Sequence, residues 1–239
     1  MTRLLAGELI KVRTTRTAVS FASAGLLLAV ATIVIVALVD DPGTVRDKRN
    51  ALAFGGWIAA LMLIYGAVGA TGEFRHRTLA PAVLIAPDRY RLVMARMLAY
   101  GLTAGLGAIA IGAVTYAVGI PLLAGTPGPS LDGRDYLGVA VGGILASMMC
   151  AAIGVAVGTL IRNQVAAQVG LLLWIFVVES LVTLPEEDLV DYTLGTSFGV
   201  LSQGGNVDGT MLHAGLVLTA WLAVLATAAT LIDRRRDVE

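Results

Sequence analysis

Cysteine is almost missing from this chain: Cys150 is the only one in 239 residues, so a disulfide framework and a cysteine metal site are excluded. Charge is scarce as well, at 14% of residues, where soluble domains carry about a quarter. The acidic and basic residues balance to a net charge of zero, which leaves no electrostatic footprint for nucleic acid. No G-x-x-x-x-G-K-[ST] pattern occurs, so a P-loop for ATP is absent. What remains is apolar. Hydrophobic residues make up 57% of the chain and the mean hydropathy is +0.82, the composition of a membrane protein.

Six apolar runs, near 18–39, 51–70, 92–123, 137–161, 165–184 and 212–232, each approach the ~20 residues that a membrane-crossing helix needs. None alternates apolar with polar residues as a β-barrel strand does. The expected fold is therefore all-α and polytopic, with a six-helix domain over 18–239 behind an N-terminal segment, 1–17. The first run is too long for a signal-peptide core, and it is read as a span that stays. In 1–17, Leu5, Leu9 and Val12 recur at helical spacing, while Arg3, Glu8, Lys11, Arg13 and Arg16 take much of the remainder. That pattern predicts an interfacial amphipathic helix.

Basic residues set the orientation. With the N-terminus in the cytosol, thirteen of the seventeen lysines and arginines fall on the cytosolic side; Arg46, Lys48, Arg49 and Arg134 fall outside. Both termini and the loop 71–91 are thus expected in the cytosol. The third run is overlong, and its start is read as a stem carrying Arg96. Outside, 40–50 opens on an Asp-Asp-Pro-Gly turn signal and 125–136 is rich in Pro and Gly. In 185–211, a capping box at Thr183-x-x-Glu186 is expected to open two short helices dipping back into the outer leaflet. Three small-residue pairs, Gly101/Gly105, Gly138/Gly142 and Gly154/Gly158, predict close helix packing rather than a particular dimer face. No internal repeat is visible, which argues against the repeat-built secondary transporters.

Few residues suggest chemistry. Gly195-Thr196-Ser197-Phe198-Gly199 fits G-x-S-x-G, but no strand precedes it to form a nucleophile elbow. His76 and His213 are expected on opposite sides of the membrane and cannot share a metal ion. Glu179 is the one carboxylate inside a run, where charge needs water, a partner or a proton. It is open whether Glu179 is a proton or cation site, a hinge contact to the following outer helix, or a side chain reaching the interface. Arg162-Asn163 reads as a tight turn.

The stretch 71–91 stands apart. It is charged at both ends, yet apolar from Leu79 to Ala86, as a short helix docking onto a partner at the membrane surface requires. Here the sequence resembles the bacterial ABC-2 type transporter permeases. The likeness rests on Glu8-Leu9-Ile10-Lys11, Gly72-Glu73-Phe74-Arg75 with Thr78-Leu79, Ala86-Pro87-Asp88-Arg89, Gly158 to Asn163, and the run from Leu173-Trp174 to Glu179. The resemblance implies the membrane subunit of an ABC exporter in the bacterial plasma (inner) membrane, moving a drug, peptide antibiotic or lipid. It implies no cofactor and no catalysis in this chain, with ATP and Mg held by a separate ATPase subunit. The loop between spans two and three becomes a coupling helix, with Glu73, Arg75, Thr78, Leu79 and Leu84 as the ATPase contact. A second permease subunit, identical or closely related, completes the pathway. Spans two and five line that pathway and offer Trp57, Met62, Tyr65, Trp174 and Phe176, with Glu179 nearby. An ion-coupled carrier, a membrane scaffold and an intramembrane hydrolase are the competing readings.

Overall fold

Backbone amides in an apolar medium need partners within their own segment, and helices supply them. The computed structural model describes residues 2–40, 42–53, 57–75, 89–184, 187–205 and 209–235. Among them the regular structure is helical, with no β-strand. In chain order come α1 (Thr2–Thr14), α2 (Arg16–Ile35, closed by a π turn Val36–Asp40), α3 (Val45–Leu52) and α4 (Trp57–Arg75). Next are α5 (Arg89–Ala124), α6 (Gly133–Ile161) and α7 (Gln164–Thr183, with a π segment Trp174–Val178). A 3-10 turn (Glu187–Tyr192), α8 (Leu194–Ser202) and α9 (Met211–Arg235) complete it. Five helices, α2, α5, α6, α7 and α9, are long and apolar enough to cross a membrane; α4 carries a shorter apolar stretch, Ala60–Gly72. The chain is a multi-pass membrane protein by this measure. The end bearing α3 and α8 is called outer, following the charge pattern.

α4 and α6 form the central pair. Of α6's apolar window 61% is buried, against 17% for α2, α7 and α9, so α6 is the spindle and the others its coat. Glycine permits the contact. A Cβ at Gly154 would overlap the Leu63 carbonyl oxygen, and a Cβ at Gly66 would overlap that of Ala151, so the two backbones touch reciprocally. Gly158 meets Ala67 and Ala70 on the same seam. The other two pairs seen in the sequence also sit at contacts, Gly101/Gly105 against Met148 and Gly138/Gly142 against Gly204 and Leu201. All three serve packing inside one chain. Beside the seam, Tyr65 lies between Phe21 and Tyr100, with ring centroids 5.5 and 5.1 Å away.

Several boundaries differ from expectation. Residues 51 and 52 do not open the second span. They are the buried apolar face of α3, which a capping box starts: the Asp47 amide donates to Thr44 Oγ1 (3.1 Å) and the Thr44 amide to Asp47 Oδ2 (3.1 Å). Ala51 and Leu52 join Ile33, Leu123 and Val139 in an outer apolar cluster. The loop 71–91 is also shorter than read, because Thr71–Arg75 continue α4 and Arg89–Arg91 already belong to α5. The remaining loop, 76–88, lies outside the described residues. Thr183 is not an N-cap; it ends α7, its hydroxyl donating back to the Glu179 carbonyl (3.0 Å). The next α-helix is capped instead by Thr193, whose Oγ1 accepts from the Thr196 amide (3.2 Å). Between α7 and α9 stand a short 3-10 element and one short α-helix, α8.

Ion pairs fasten the ends of α6. At its outer end Arg49 of α3 donates through Nε to Asp135 (2.9 Å), pairs with it again through Nη2, and donates through Nη1 to the Gly205 carbonyl (2.9 Å). At its other end Arg162 takes the left-handed conformation (φ 55°) and donates to Asp233 of α9 (2.9 Å). Asn163 then caps α7, accepting from the Ala166 amide (3.0 Å), which is the tight turn read from the sequence.

Candidate functional site

α5 has 36 residues. At 1.5 Å per residue it runs about 54 Å, well past the ~30 Å of a bilayer's hydrocarbon. That surplus is long enough for the stem expected around Arg96, and α1 packs on α5 beside that residue. Leu5 and Leu9 are half-buried and Val12 is buried, at the spacing the sequence predicted. Glu8 is not on the solvent face. It is 4% exposed, and its Oε2 lies 3.8 Å from Nε of Arg96, itself 1% exposed. Lys11 pairs with the other carboxylate oxygen at 2.8 Å. This buried pair docks α1 at the end of the molecule where α5 begins.

At the outer end, α4, α7 and α8 enclose a cleft of about 440 Å³. Ala60, Ile175, Phe176, Val190 and Phe198 give it apolar walls; Asn50, Ser180, Thr196 and Gln203 supply polar atoms. The π segment of α7 sets the register of the last helical turn, and such segments occur frequently at functional sites. That turn opens on Glu179, which is 8% exposed and faces the first turn of α8. Its Oε1 accepts from the Leu194 amide (3.1 Å) and its Oε2 from the Gly195 amide (2.8 Å). A helix N-terminus presents unsatisfied amides and a partial positive charge, so the carboxylate is compensated there. A Cβ at residue 195 would stand 2.5 Å from Glu179 Oε2, so a side chain there would displace the carboxylate from its two amides. Of the three roles open for Glu179, the geometry displays the contact to the following outer helix.

That contact predicts a measurable result. Glu179→Ala removes the acceptor for two amides, at a cost of about 1.5–3 kcal/mol for hydrogen bonds to a charged group. The Leu194 and Gly195 amides are expected to exchange with deuterium about tenfold faster or more, the helical core of α6 being unchanged. Glu179→Gln, which keeps one oxygen, is expected to fall between.

The sequence-predicted residues scatter. Phe176 and Glu179 line the cleft. Trp174 is not part of the cleft lining; its indole lies within hydrogen-bonding reach of the Glu179 carboxylate and packs edge-on against Trp221 at 5.7 Å. Met62 and Tyr65 are each 3% exposed, buried in the core of this chain rather than on the cleft wall. On a helix apolar all round, the sequence does not say which face meets neighbours. Trp57 opens α4 and Glu73 and Arg75 close it, their side chains outside the described residues; so are Thr78, Leu79 and Leu84 entirely. Ser197 is 2% exposed within α8 and donates to the Asp191 carbonyl (3.4 Å), while His213 packs its ring against Tyr192 at 5.5 Å. Sequence reasoning missed Arg49 and Asp135. Each lies in a helix that a T-x-x-D or D-x-x-D capping pattern announces, at Thr44–Asp47 and Asp132–Asp135. No protein-family model matches the sequence, and no curated protein matches it.

Proposed function

We propose that this chain is the transmembrane permease subunit of an ATP-binding cassette exporter for a lipophilic or amphipathic compound, working as one of two permease subunits with a separate ATPase that binds ATP and Mg. In this reading α2, α4, α5, α6, α7 and α9 are the six crossings, with both termini in the cytosol of a bacterial inner membrane. The observation that carries it is the build of the two short helices before α9, tied to α7 through Glu179 and roofing an amphipathic cleft between α4 and α7. Support comes also from α1, pinned to the α5 stem into which the loop 76–88 leads. Work from ATP enters through that loop and the end of α4 that leads into it, where Glu73, Arg75, Thr78, Leu79 and Leu84 meet the ATPase. Closure of two ATPase domains then moves the crossings as rigid bodies.

The test is co-reconstitution of the chain with an ATPase from the adjacent reading frame, measuring ATP-dependent transport of a fluorescent lipophilic cation. Allosteric couplings of about 1–3 kcal/mol correspond to about 5–150-fold. Glu73→Ala and Leu79→Asp are therefore expected to lower transport about tenfold or more at unchanged membrane abundance. Full transport by both variants, or transport without ATP driven by an ion gradient, rejects the exporter reading. The gradient result establishes the carrier instead.

A further inference from the structure

α5 and α6 do not stay together along their length. Their seam is closed where Gly101 and Gly105 press on Met148. Towards the outer end it opens, leaving an apolar crevice of about 250 Å³ floored by Ile58 of α4. Gly112 and Ala113 form one wall, Ala140 and Gly143 the other. A Cβ built at Gly112 or Gly143 meets nothing within 4 Å, so these glycines admit no neighbouring backbone, unlike those of the α4–α6 seam. They leave space.

The surroundings say what fills it. Ile109, which lines the crevice, is 52% exposed, and Leu106 and Val141 on the same two helices are 66% and 42% exposed; both helices are long and apolar enough to span the bilayer. Hydrocarbon is their solvent. Inside, the Tyr116 hydroxyl already donates to the Tyr136 carbonyl (3.0 Å) and the Ser202 hydroxyl to that of Gly199 (2.9 Å), leaving Ser147 to add a single hydroxyl. Such a lining offers water too few partners: apolar cavities of about 150 Å³ stay dry and take up benzene. This one is larger and opens sideways to the membrane. We infer that it seats one acyl chain of a bilayer phospholipid, held by shape between α5 and α6. The site depends on these helices lying in the membrane and not on the exporter reading.

The experiment uses the full chain in phosphatidylcholine vesicles doped with a phosphatidylcholine bearing a mid-chain diazirine. After irradiation, adducts are mapped by mass spectrometry. Residues 112–116 and 140–144 are expected to carry about fivefold or more label than the membrane-exposed Val169 and Leu172 of α7. Gly143→Leu fills the crevice and is expected to abolish this excess while labelling of α7 persists, which reports an intact fold. Should that variant fail to assemble, Gly112→Leu fills the opposite wall with the same readout. Crevice labelling no greater than that of α7 overturns the site, as does an excess that survives filling. Either result leaves only the ordinary lipid annulus.

Discussion

Gly154→Leu is expected to abolish recovery of a folded, monodisperse protein. A Cβ at Gly154 overlaps the Leu63 carbonyl oxygen and comes within 2.9 Å of the Ala67 amide nitrogen. The obstructing atoms are backbone, so no side chain can swing aside. Retreat of α4 would also part the reciprocal contact, where Gly66, one turn along, rests on the Ala151 carbonyl of the same partner helix. Overpacking a rigid core costs about 1–3 kcal/mol and more where backbone must move. Small residues are what allow membrane helices this close approach. Gly154→Ala isolates the single Cβ and is expected to lower the melting temperature without preventing assembly. Fluorescence-detected size exclusion measures both. Gly143→Leu is the control, since its side chain enters open space and the sharp elution peak is expected to remain. A Gly154→Ala variant as stable as the parent would mean that the α4–α6 backbones are further apart than described.

The second large effect is expected from Arg96→Met. Arg96 and Glu8 are almost fully buried, and deleting one partner of such a pair typically costs about 3–5 kcal/mol, because the other charge stays behind unpaired. Lys11 offsets part of that charge from its half-exposed position, which puts the expected cost at the lower end, about 3 kcal/mol. The readout is local. α1 carries tryptic sites at Lys11 and Arg13, and α2 begins at Arg16, so undocking α1 frees the helical backbone there to unwind into a protease. Limited trypsinolysis there is expected to accelerate more than tenfold, with cleavage elsewhere unchanged. The double variant Glu8→Leu with Arg96→Met removes both charges and is expected to restore most of the protection, as apolar replacements of buried pairs commonly do. Equal loss in single and double variants would show that packing, not charge, holds α1.

These two sites also show what the sequence carried. The glycine pairs of α5 and α6 were legible because a four-residue spacing puts both members on one helix face. The apolar spacing of Leu5, Leu9 and Val12 announced α1 for the same reason. The inward turn of Glu8 was not legible: its partner lies 88 positions away, and nothing local distinguishes it from the solvated charges around it. α3 was hidden differently. Its apolar face, Ala51 and Leu52, runs straight into the next apolar stretch, and composition alone merges the two. The cap at Thr193 was missed because Thr183-x-x-Glu186 offered the same pattern earlier, where the chain was still finishing α7. Within the candidate site, Phe176 and Glu179 were identified, but not the split between cleft and core along α4. A helix apolar on every side carries no periodic signal of which face is buried.

The fastening of α6 at both ends has a mechanical consequence. Asp135 is gripped by Arg49, and Arg162 grips Asp233, so the 29 residues of this helix form an axle with a cotter pin at each end. Spinning that axle means withdrawing a pin, whereas a helix with no cross-link of this kind is free to swivel. A torque applied to α6 is therefore handed on to α3 at one end and α9 at the other.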